Sequence, residues 1–229
     1  MFSVCEESIG ECWRSCLEYV MSYGDIFHDE DVCIREIMGL NVKVTSPKLT
    51  DEFVEKHGDP KIILHTLKKF DRGAVMHNRP FTYGQCIYDK RGVDQFRWMV
   101  NRLVQKPETK SATICLLTEG ISEANLPCLT TLDAKIRNGF LNMQFFFRSQ
   151  NVLGRQYANL LAIANLQHKL CQEVGVEVGF LSGYIASAHI YEYDWDTASA
   201  LVKGDNVKVI DRFYDKGPAS IRQNKLFRS

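Results

Sequence analysis

Residues 128–148 read Cys-Leu-Thr-Thr-Leu-Asp-Ala-Lys-Ile-Arg-Asn-Gly-Phe-Leu-Asn-Met-Gln-Phe-Phe-Phe-Arg, and their reading decides the fold. Leu132, Ala134 and Ile136 alternate on one side of Asn138-Gly139; Leu141, Met143, Phe145 and Phe147 alternate on the other. Alternation marks half-buried strands, and Asn-Gly between two such runs is the strongest short hairpin signal. The stretch is expected to be an antiparallel pair with an apolar face that needs a second layer.

The flanking sequence supplies that layer. Downstream, Leu160, Ile163, Ala164, Leu170 and Val174 predict a helix over about 157–174 that Gly175 stops. A strand over about 183–190 follows. Upstream, Thr113-Ile-Cys-Leu-Leu117 is short, apolar and β-prone, which places Cys115 in a buried strand. Phe96, Met99, Val100, Leu103 and Val104 predict a helix over about 93–105, ended by Lys106-Pro107. Leu40 to Thr45 alternates as a strand, and Ile9, Cys12, Trp13, Cys16, Leu17, Val20 and Met21 form one stripe of a helix over about 7–23. Residues 47–80 mix helical turns with Gly and Pro breaks. The sum is an α+β chain, a mixed or antiparallel sheet covered by helices, expected to form one domain over 1–229.

Composition narrows the function classes. The chain has 229 residues, with 28 basic against 28 acidic side chains, so it is not a polybasic nucleic-acid binder. Its 11% aromatic content and six prolines exclude a largely disordered chain. No run approaches the roughly 20 apolar residues of a membrane span. The first residues lack a basic region and an apolar run, so no signal peptide is expected and the cytoplasm is the expected location. In that compartment the eight cysteines are expected to be free thiols. Without a Cys-x-x-Cys or clustered histidines, no metal site is expected, and Cys12 and Cys16 read as core residues.

Cys128 differs from the other thiols because it follows Leu126-Pro127 at the entrance to a strand, where a fixed backbone can aim it into a cleft. Arg148 leaves an aromatic strand beside Ser149. It is either half of a structural ion pair or, with the hydroxyl, a phosphate grip that also favours a thiolate nearby. Asn159, early in a helix, is either a cap or an amide that reads a ligand edge. His189 and Tyr191 alternate onto one face, where two polar tips are either structural or able to grip a ligand hydroxyl.

Together, Pro127-Cys128, the strand ending in Phe-Phe-Phe-Arg148-Ser149, Gly154 with Ala158-Asn159, and Ala188-His189-Ile-Tyr191 resemble the thymidylate synthase family in order and spacing. Cys128-Leu129 and His-Ile-Tyr-Glu-Tyr-Asp-Trp195 resemble its short archaeal-type branch, and Tyr83-Gly84, Asp94-Gln95 and Pro107 extend the likeness over roughly residues 5–200. The resemblance implies transfer of a one-carbon unit from methylene-tetrahydrofolate, or a tetrahydropterin analogue, to carbon 5 of a pyrimidine nucleoside monophosphate. It implies Cys128 as nucleophile, Tyr83 assisting proton removal, and Glu52 or Glu55 as general base. It implies Arg148 and Ser149 on the 5′-phosphate, Asn159 on the base, and His189 and Tyr191 on the ribose hydroxyl. It also implies a homodimer, with no metal, nucleic acid or membrane partner.

Three departures accompany it. Where the family carries two arginines that reach the partner's phosphate, this chain has Lys110-Ser111. Where the family has a folate-placing carboxylate it has Asn151, and the segment after Phe213-Tyr214 does not resemble the family's closing tail. These leave nucleotide hydroxymethylation, with water capturing the one-carbon unit, as the alternative, and an inactive nucleotide-binding relative as the lesser one.

Overall fold

A computed structural model describes residues 2–29, 31–75, 81–117 and 126–210. The strands are β1 (Phe2–Glu6), β2 (Asp25–Asp29), β3 (Val32–Val44), β4 (Thr113–Cys115), β5 (Leu129–Arg137), β6 (Phe140–Phe147), β7 (Gln150–Asn151) and β8 (Glu177–Tyr191). The helices are α1 (Ile9–Tyr23), α2 (Glu52–His57), α3 (Pro60–Lys69), α4 (Tyr83–Tyr88), α5 (Gln95–Gln105), α6 (Gln156–Val174) and α7 (Trp195–Lys203). The eight strands form one mixed sheet in the order β1-β3-β8-β6-β5-β4, with β2 added beside β3 and β7 beside β8. The architecture is α+β.

The expected hairpin is the β5–β6 pair, joined by Asn138 at φ 52° and Gly139 at φ 82°. Two successive positive φ values are what a two-residue turn of this hand requires, and Asn-Gly supplies them at little steric cost. Ser8 caps α1 in a capping box: its hydroxyl accepts from the Glu11 amide at 3.2 Å while the Glu11 carboxylate accepts from the Ser8 amide. Trp13 of α1 is fully buried, donates its indole N–H to the Val152 carbonyl at 2.9 Å and packs on Tyr157 at a ring separation of 4.4 Å. That contact locks α1 to the start of α6 against the sheet. Gln167 of α6 spends its amide nitrogen on the Leu141 and Gly179 carbonyls, tying the helix to β6 and β8.

The differences from expectation lie at strand ends and on one thiol. β3 begins at Val32 and β8 at Glu177, each well before its alternating segment. Cys115 is exposed, with only Ile114 of β4 buried, because β4 is a short edge strand. Cys12, Cys16, Cys86 and Cys171 are buried, while Cys5 is exposed and Cys33 and Cys128 are partly so.

The β3–β8 ladder carries the feature that matters most for function. Leu40 pairs with Ile185 and Met38 with Ser187, and Gly39 between them has φ 79°. On the near side of this irregularity Leu181 and Ile185 are buried; beyond it Ala188 and Ile190 take over the core, which turns the alternate residues Ser187, His189 and Tyr191 to the opposite face.

Candidate functional site

Cys128 stands at the mouth of β5, half-buried, with its sulfur 3.9 Å from the Ser149 hydroxyl. The segment that carries it is clasped by Arg148. The Arg148 amide donates to the Cys128 carbonyl at 2.9 Å, Nε to the Pro127 carbonyl at 3.1 Å and a terminal nitrogen to the Leu126 carbonyl at 2.7 Å. The guanidinium therefore lies over the Cys128 segment without a carboxylate partner among the described residues.

Tyr83, the first residue of α4, is placed by a capping box between Thr82 and Gln85 and by its ring contact with Phe70 at 4.9 Å. Its hydroxyl accepts from the Leu129 amide at 3.2 Å, which brings a phenol next to the cysteine. β8 contributes the opposite wall. His189 and Tyr191 meet edge to face at 5.2 Å, and Tyr191 stacks on Tyr193 at 5.2 Å. Burial pushes the Tyr191 phenol up, with Asp29, Cys128 and Asp194 adding in the same direction. Burial pulls His189 below the ordinary histidine value, against a smaller upward pull from a Ser187 backbone hydrogen bond, Glu36 and Asp29. Both side chains are thus neutral at neutral pH, as suits hydrogen bonding to an uncharged group.

Asn151 pairs in register with His189 through β7 and accepts the Gly154 amide at 2.8 Å, so its side-chain oxygen shapes the turn into α6. Asn159 is not a cap. The N-cap of α6 is Arg155, and the Asn159 amide already donates to the Arg155 carbonyl at 3.0 Å. Its half-buried side chain sits one turn inside the helix. The helix begins at Gln156, next to the expected start at Tyr157, and both residues are buried.

The remaining expected residues lie apart from this group. Glu52 and Glu55 occupy the exposed face of α2, whose Val54 and His57 face inward, and neither pairs with a member of the Cys128 group among the described residues. Lys110 is exposed on the turn after α5. There Arg102 Nε donates to the Thr109 and Ser111 hydroxyls, each at 3.0 Å, beside a shallow hollow of about 360 Å³ lined by Trp98, Asn101, Arg102, Gln105 and Ser111. The segment after residue 210, with Phe213-Tyr214, lies outside the described residues. Asp29 and Glu36 escaped sequence reasoning, since the strand pair that brings them to His189 lies ahead of the alternating stretch read as a strand there, Leu40–Thr45. Among the described residues no three His, Cys, Asp or Glu side chains gather to hold a metal ion, and no helix is long and apolar enough to cross a membrane.

A nucleophile, a phenol, a hydroxyl beside a guanidinium and a neutral His–Tyr pair can together attack an electron-poor carbon and grip a polyhydroxylated, anionic ligand. Comparison with known proteins identifies the family. The family model described as thymidylate synthase matches residues 39–210. A Methanosarcina acetivorans protein named "Putative thymidylate synthase" is 29% identical over 205 residues, covering 87% of this chain and 94% of its own. One of the same name from Methanothermobacter thermautotrophicus is 28% identical over 219 residues, covering 88% and 99%. One from Methanocaldococcus jannaschii is 24% identical over 213 residues, covering 86% and 94%. With three quarters of its length matched by the family model, the chain belongs to the thymidylate synthase family.

Proposed function

We propose that the protein transfers a one-carbon unit to carbon 5 of a pyrimidine nucleoside monophosphate, in its plainest form dUMP to dTMP, through a covalent Cys128 adduct. The observation that carries this reading is the convergence of Cys128, Ser149, Tyr83 and Tyr191 from four separate elements. Sγ of Cys128 bonds to carbon 6, and the electron pair of the 5,6 double bond passes to carbon 5, which becomes the nucleophile. Arg148 and Ser149 hold the 5′-phosphate. Asn159 accepts from ring N3–H and donates to oxygen 4, a pattern that suits uracil; cytosine presents the reverse. His189 and Tyr191 bind the sugar hydroxyl, Tyr83 relays the carbon-5 proton, and elimination of the thiolate restores the enzyme.

Methylene-tetrahydrofolate supplies the one-carbon unit and, in the synthase form, the hydride. Asn151 fits such a co-substrate: with its oxygen accepting from Gly154, the amide keeps an NH₂ donor and a lone pair, complementary to the carbonyl and N–H edge of a pterin ring. Glu52 or Glu55, on the exposed face of α2, is proposed as the general base, acting through water.

A homodimer is part of the proposal. On the sheet face beside the site Met38 is 73% exposed, while Phe146 and Tyr184 stack at 5.5 Å with their outer surfaces open to solvent. An apolar sheet face of this kind supports burial against a second copy, which would also bring Lys110 toward the partner's phosphate.

One second reading has its own support. Asn151 and Ser111 both replace charge by neutral hydrogen-bonding groups, which favours a wetter site and hydroxymethylation. Incubation with dUMP and methylene-tetrahydrofolate separates the two. A methylated base with dihydrofolate is the expected outcome; a hydroxymethylated base with tetrahydrofolate establishes the second reading. Recovery of unchanged dUMP, with CMP and dCMP equally inert, overturns both.

A further inference from the structure

His189 is reached by a chain of two residues, Glu36 and Ser187. Glu36 pairs in register with His189 across the β3–β8 ladder, and Ser187 lies two residues before it on the same face. The Ser187 hydroxyl hydrogen-bonds the Glu36 carboxylate, and the same oxygen is 3.4 Å from His189 Nδ1. The donor roles follow from chemistry. A carboxylate at neutral pH only accepts, so the Ser187 proton goes to Glu36. The Ser187 oxygen is then left with lone pairs alone, and its partner at Nδ1 must be an N–H. A backbone hydrogen bond at Ser187 acts on the same ring in the direction expected of an acceptor.

We propose that Glu36 and Ser187 are positioning residues that hold His189 as the Nδ1–H tautomer, leaving Nε2 a bare acceptor that selects a ligand group able to donate, a sugar hydroxyl in place of an ether or a ketone. The groups facing the imidazole are Glu36, Asp29, Ser187 and Tyr191, the last meeting it ring edge to ring face at 5.2 Å. A neutral ring agrees with its 8% exposure, since burial disfavours the imidazolium. The sugar-hydroxyl half of this inference rests on the function proposed above; the tautomer half does not.

The test begins without substrate. Long-range ¹H–¹⁵N correlation of the full chain at pH 7.5 is expected to show His189 neutral, with Nδ1 protonated and Nε2 bare. Ser187→Ala and Glu36→Gln are expected to move the ring toward the Nε2–H tautomer, and Ser187→Thr, which keeps the hydroxyl, to restore it. In turnover, Ser187→Ala is expected to raise KM for the nucleotide about five- to tenfold at nearly constant kcat, the size of one neutral hydrogen bond. An Nε2–H tautomer or an imidazolium in the unsubstituted protein overturns the inference whatever the substrate proves to be. The expected tautomers with a nucleotide affinity that Ser187→Ala leaves unchanged support the relay and count instead against the sugar-hydroxyl role of His189.

Discussion

The two halves of β8 obey opposite rules. From Glu177 to Ile185 the strand packs Leu181 and Ile185 into the core beside Phe145 and Phe147 of β6, and its outward residues meet solvent. From Ser187 to Tyr191 the alternate residues are polar, half or fully buried, and engaged with Glu36, Asp29 and Cys128. Gly39, opposite the junction, takes the positive φ that lets the pleat change phase. The lesson is that one strand serves both as core and as site wall because its inward and outward faces exchange once, opposite Gly39, while the register with β3 is kept.

Breaking the core half is expected to have the largest effect on stability. Leu181→Ala leaves a cavity at a fully buried position, and a loss of about 2–5 kcal/mol is expected in chemical denaturation. Nucleotide affinity of the folded fraction should stay near that of the unsubstituted protein. If affinity falls as far as stability, the two halves are not separate.

Breaking the junction should affect both halves. Gly39→Ala puts a Cβ at φ 79° and 2.8 Å from the Tyr184 hydroxyl. The backbone term alone is about 1–2 kcal/mol. Because the same change re-aims Ser187, His189 and Tyr191, nucleotide binding should weaken too. A change in stability without a change in binding would refute the role given to Gly39.

The site half alone is sharpened by Asn159→Asp, whose acceptor-only side chain, or its protonated form, should shift preference from uracil toward cytosine nucleotides with little effect on thermal stability. Unchanged selectivity removes Asn159 from base reading.

The smallest effect is a pH limb. His189 is held below its unfolded value by burial, so the unfolded chain takes up the proton first. Its contribution is complete above about pH 6.5 and is lost as pH falls from there toward the depressed folded value. Between pH 7 and 5 the melting temperature should therefore fall more for the unsubstituted protein than for His189→Gln. On the alkaline side the reverse sign applies. Burial pushes the Cys171 thiol up to about 11, so stability should decline as pH climbs from about 9.

Sequence alone was sufficient where pattern and local chemistry agree. The β5–β6 hairpin, α1, α5 and α6 were legible because apolar spacing, Asn138-Gly139 and Gly175 act within a few residues. The phase change at Gly39 was not, because it depends on which strand lies opposite. Cys128, Tyr83, Arg148, His189 and Tyr191 were legible as a set only through their joint resemblance to a family. Glu36 and Asp29 carry no motif, and their place beside His189 comes from β3 pairing with β8 and β2 with β3. For Asn159 the local signal misled: an amide early in an apolar helix resembles a cap, yet the buried Gln156 and Tyr157 start α6 before it.

The central claim, that Cys128 adds to a pyrimidine ring, is tested most directly by intact-protein and peptide mass spectrometry after incubation with 5-fluoro-dUMP and methylene-tetrahydrofolate. Fluorine in place of the carbon-5 proton blocks the release of the nucleotide, so the account predicts a stable adduct on the peptide containing Cys128, absent in Cys128→Ser. The substituted protein should also lose turnover by about a thousandfold or more while remaining folded. An adduct on another cysteine, or full turnover in Cys128→Ser, would contradict it.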